Sequence, residues 1–68
     1  MTKPLKVLRK GWRVRRAGNP RTEVGRARKA QVFTVDTVYG DWKSYSRALL
    51  RGHGQAFWTM TPEDWERA

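Results

Sequence analysis

AQVFTVDTVY, residues Ala30 to Tyr39, is the stretch that decides the fold. Val32, Phe33, Thr34, Val35, Thr37, Val38 and Tyr39 are all β-branched or aromatic, the side chains that pack best on a pleated surface. Both parities of the run are rich in them, so neither face suits water. The segment belongs in the middle of a sheet. Gly40-Asp41 ends it.

Upstream, Trp12-Arg13-Val14-Arg15 alternates apolar and charged residues, the period of a half-buried strand. Gly18-Asn19-Pro20 breaks it with three residues that favour turns. A second extended run is expected from Thr22, with Gly25 after Val24 marking a bulge or bend. Pro4 discourages an early helix, so residues 1–10 read as a basic arm and residues 11–68 as one small β-rich domain.

Downstream, Asp41 suits a helix N-cap. Trp42, Tyr45, Ala48 and Leu49 share one helical face, Arg47 and Arg51 suit a last turn, and Gly52 fits the C′ position. A helix over 42–51 is expected. Gly52-His53-Gly54 is a turn and Gln55 to Met60 a short strand. Thr61-Pro62-Glu63-Asp64 opens a helical turn, after which Trp65 folds back onto the core. The expected class is mainly β: a small barrel with one inserted helix near 42–51 and a short C-terminal helical turn. The alternative is an open α+β sandwich.

GWRVRRAGNPRTEVG, Gly11 to Gly25, resembles the opening of small SH3-like barrels of the KOW and Tudor type. These begin with a Gly-led strand bearing Val-Arg, a polar turn, and a second strand marked by Gly. FWTMTPEDWERA, at the chain's end, resembles their closing strand and helical turn. The expected helix over 42–51 would be an insertion, and Trp12 stands where an acid is usual. The resemblance implies a fold. Barrels of this kind serve nucleic acid, peptides and catalysis, so it implies no single activity.

With 68 residues the chain makes one domain, burying roughly 60% of its unfolded surface. Four Trp, two Phe and two Tyr give a small core more area per residue, and a homodimer would add further burial. There is no Cys, which excludes disulfides, and a single His, which excludes ordinary zinc sites. No cofactor is expected. No run is long and apolar enough to span a bilayer or serve as a signal peptide, so no membrane partner and a cytoplasmic location are expected.

Charge carries the functional reading. Eleven of the fifteen basic residues fall in the first 29 positions, with Glu23 as the only acid there. The other 39 residues hold four basic and five acidic side chains. So one-sided a surplus is a directed field, and nucleic acid is the commonest polymer that fits it. Arg13 and Arg15 share one strand face opposite Trp12 and Val14. Pairing of the next strand would bring Arg26 and Arg28 beside them. With Arg16, Arg21, Lys29 and Lys10 these form the expected phosphate-binding surface, because a guanidinium fork matches a phosphate. Lys3, Lys6 and Arg9 would add reach. DNA stands ahead of RNA. Among the aromatic residues, Tyr39, Trp42 and Trp58 are candidates for base stacking or for anchoring a partner; the others are expected in the core.

The second function class is a protein-interaction module or inhibitor docking on an acidic surface of a larger protein. His53 between two glycines fits a turn, and Glu63, Asp64 and Glu66 fit a helix start. With no phosphate loop, nucleophile elbow or metal-ligand spacing, no enzymatic activity is expected.

Overall fold

Within the run at 30–39, Phe33–Tyr39 forms the central strand, while Ala30 closes the helix that precedes it. The computed structural model describes residues 4–68; Lys3 and the two residues before it lie outside the described residues. Five strands and one helix follow in the order β1 (Arg13–Arg16), α1 (Glu23–Ala30), β2 (Phe33–Tyr39), β3 (Arg47–Gly52), β4 (Gln55–Thr59) and β5 (Trp65–Arg67). They build one antiparallel sheet with strand order β4-β3-β2-β1-β5 and β2 in the middle. A 3₁₀ turn, Pro62–Asp64, precedes β5, as expected at Thr61-Pro62. The protein is a mainly β domain.

One sheet face is the core. Leu8, Val14, Phe33, Val35, Ala48, Leu50 and Trp65 are buried there, with Trp12, Trp42 and Phe57 packed against them. Each large side chain fully buried contributes about 1.5–3 kcal/mol. Leu8 belongs to the segment 1–10, so the part of that segment around it packs into the interior. The Trp65 indole nitrogen donates to the Thr59 hydroxyl at 3.0 Å, so its polar edge is satisfied inside.

The helix lies elsewhere than expected. Residues 42–51 are not helical: 47–51 belong to β3, and Trp42 sits at φ 65 in the irregular connection before it. The 3.6-residue pattern fails because Tyr45 is exposed, whereas Ala48 and Leu50 enter the core with period two. Asp41 does accept from a backbone amide, that of Lys43, but as a local turn. The Ser46 hydroxyl, accepting from the Trp42 amide at 2.9 Å, holds the same connection. Gly52 belongs to β3, where an added Cβ would lie 2.9 Å from the Phe33 ring. His53 (φ 51) and Gly54 (φ 71) then make the two-residue hairpin turn whose positive angles match strand twist.

The extended run expected from Thr22 is instead α1. The Thr22 hydroxyl accepts from the Gly25 amide at 3.0 Å, Glu23 lies in the first turn, and Arg28 and Lys29 lie in the last. Gly25 is no bulge. It lets the helix approach Pro20, where an added Cβ would come within 2.8 Å of the proline side chain.

Candidate functional site

The basic residues separate by strand parity and helix position. Val14 faces the core, so Arg13 and Arg15 point outward, as their spacing predicts. Arg16 shares Val14's side and pairs across to Trp65. Its guanidinium carbon lies 5.1 Å from the centroid of the Trp65 ring and 5.9 Å from those of Phe33 and Phe57. Its Nη1 is buried with no hydrogen-bond partner. Arg16 is thus drawn toward the aromatic edge of the core, away from Arg13 and Arg15.

Arg26 and Arg28 reach the β1 region from α1, not from a paired strand. Arg15, Arg26 and Lys29 line a cleft of about 410 Å³ with Asn19 and Pro20. Arg16, Arg28 and Lys29 line a neighbouring cleft of about 390 Å³. Arg21 and Lys10 are exposed and line neither.

One acid enters this cluster. Glu66 pairs across from Arg15 on β5 and is buried, with Lys29 at 3.2 Å and Arg15 at 3.7 Å. Burial pushes its carboxyl up, but the Lys29 and Arg15 charges and hydrogen bonds outweigh that and hold it below the usual glutamate value. Lys29 also donates to the Gly18 carbonyl. Lys29 therefore braces α1 against β5 and the loop. Arg26 and Arg28 make no ion pair among the described residues. Of the three cations that line the first cleft, Arg15 and Lys29 share Glu66 and Arg26 has no ion pair among the described residues.

Cross-strand register extends this surface. Arg13, Thr34, Arg51 and Ala56 lie side by side over β1 to β4 on the outward face. Arg51 donates to Asp36 at 3.1 Å, which together with its charge holds the Asp36 carboxyl below its ordinary value. Farther along that face, Tyr39 pairs with Arg47 and Leu49 with Trp58. The Tyr39 and Trp58 rings meet at 5.6 Å, and the Arg47 guanidinium carbon is 4.5 Å from the Trp58 centroid and 5.3 Å from that of Tyr39. Adjacent strand residues do diverge here: Phe57 packs inward and Trp58 outward.

Trp42 does not join that pair. It is half-buried against the core, and its indole nitrogen donates to the Leu8 carbonyl at 2.8 Å. Arg47 is the residue that sequence reasoning missed. Its signal was the alternation Arg47-Ala48-Leu49-Leu50-Arg51, hidden by reading the segment as a helix. The described residues hold no cluster of three or more His, Cys, Asp or Glu placed for a metal, and no helix among them is long and apolar enough to cross a membrane. No protein-family model matches the chain, nor does any curated protein or solved structure.

Proposed function

We propose that this chain is a non-catalytic nucleic-acid-binding domain that grips phosphates along the outward face of β1 and the clefts beside α1. The observation that carries this is the convergence of Arg15, Arg26, Arg28 and Lys29 on two adjoining clefts, where Glu66 pairs with Arg15 and Lys29 and no acid among the described residues pairs with Arg26 or Arg28. Clustered guanidinium groups repel one another until an anion bridges them, and phosphate accepts their paired donors. Arg13, outward and free of ion pairs among the described residues, continues the track. The strand order, with a 3₁₀ turn ahead of the last strand, supports the SH3-like reading of the barrel, KOW or Tudor type included.

Fluorescence anisotropy with DNA and RNA of mixed sequence tests this. Log affinity should fall with log salt at a slope of roughly −0.9 per phosphate neutralised on duplex DNA. Reversing Arg13, Arg26 and Arg28 to Glu should abolish binding while the circular dichroism spectrum persists, since none of the three supports the core. Unchanged binding by that folded triple variant would remove the assignment. The second reading, docking on an acidic protein, draws on the same field with Trp58 as anchor. A pull-down from nuclease-treated lysate that still depends on the three arginines would favour it.

A further inference from the structure

The exposed ring pair on β2 and β4 calls for its own explanation. Tyr39 is 55% exposed and Trp58 44%, although a domain this small gains from burying every large ring. They stand on β2 and β4, on either side of β3, with Tyr39 opposite Arg47 and Trp58 opposite Leu49, and the Arg47 guanidinium reaches both rings. No acid pairs with Arg47 among the described residues, so its charge is available to a ligand.

We propose that Tyr39, Arg47 and Trp58 form a stacking platform for the unpaired bases of a single-stranded nucleic acid. The proposal rests on the phosphate-binding reading above and names the strand state that the same surface takes. A duplex keeps its base faces inside its own stack and offers only edges; an unpaired base offers its whole face. Two aromatic rings and a planar cation supply matching faces, and stacking tolerates any base. The guanidinium also meets the phosphate that follows a stacked base. Arg13 and Arg51 stand on the same outward face as the platform, Arg13 without an ion pair among the described residues and Arg51 paired to Asp36, so a backbone that leaves the platform can meet Arg13 before the basic clefts. The competing account is a surface clasp in which Arg47 ties two strands together through their rings. A clasp would change stability and leave ligand preference alone.

The test uses the full chain with a fluorescein-labelled oligothymidylate and a duplex of equal length. Trp58→Ala and Tyr39→Ala should each weaken single-strand binding by about tenfold, while duplex binding stays within about twofold. The salt slope should not change, because no phosphate contact is lost. Trp58→Phe, which keeps a ring and guards against misfolding, should retain most of the affinity. Arg47→Gln should weaken single-strand binding and reduce the slope by about 0.7. Equal losses on both ligands, or no loss on the single strand, would overturn the platform and leave the phosphate-binding reading standing. If the wild-type chain bound no nucleic acid at all, both would fall.

Discussion

The β1–α1 corner and the β2–β3–β4 face are built on opposite principles. α1 buries no residue at all. It is held by the Thr22 cap, by contact with Pro20 and by Lys29 on Glu66. The β2–β4 face rests on a ladder whose other side is the core, through Val35, Ala48 and Leu50. The charged corner is therefore adjustable and the aromatic face fixed. Long-range attraction tolerates movement, since it falls off gradually with distance, whereas stacking needs rings in place.

The sharpest way to break that contrast is Phe33→Ala. Phe33 is 1% exposed and touches the rings of Phe57 and Trp65. Its loss should cost about 3–5 kcal/mol, enough to unfold a domain this small, as urea denaturation would show. Glu66→Gln should act next, at about 1.5–3 kcal/mol near neutral pH, the worth of hydrogen bonds to a charged group. Its pH dependence has a definite sign. The folded carboxyl titrates below its ordinary value of 4.5, so its contribution is complete above that pH and is lost as pH falls through the folded value. Wild type and variant should converge in acid; parallel stability curves would show that Glu66 acts by packing. Thr22→Ala should cost about 1 kcal/mol. Its loss should appear first as faster amide exchange confined to 23–30, and uniform loosening would mean that the corner and the face form one cooperative unit. Asp36→Asn should have the smallest effect, no resolvable shift of the melting midpoint, because its pair with Arg51 is exposed.

The same contrast explains what could be read from the chain alone. Phe33 to Tyr39 declared itself through its density of β-branched and aromatic residues, although only one face of it is buried: Phe33 and Val35 enter the core, while Thr34 and Tyr39 stand exposed on the other side. Trp12 to Arg15 did so because the pleat sorts alternate residues. α1 stayed hidden because a helix without a buried face has no apolar period; only Thr22, Glu23 and the closing basic residues marked it, and Val24-Gly25 suggested a bent strand. Ala48-Leu49-Leu50 admits either period, and Trp42 and Tyr45 tipped it toward helix. The outward arginines of β1 were legible from parity. The grouping of Arg15 with Arg26 depended on α1, and that of Tyr39 with Arg47 on the pairing of β2 with β3.

Because α1 contributes nothing to the interior, the connection between Arg16 and Phe33 is a natural splice point. A short turn exchanged for residues 18–31 would remove most of the clustered cations and leave the hydrophobic centre intact. The exchange would also take Lys29 from the buried Glu66 carboxylate, so an uncharged residue at 66 belongs in the same step, and ligand choice could then be retuned without redesigning the scaffold that carries it.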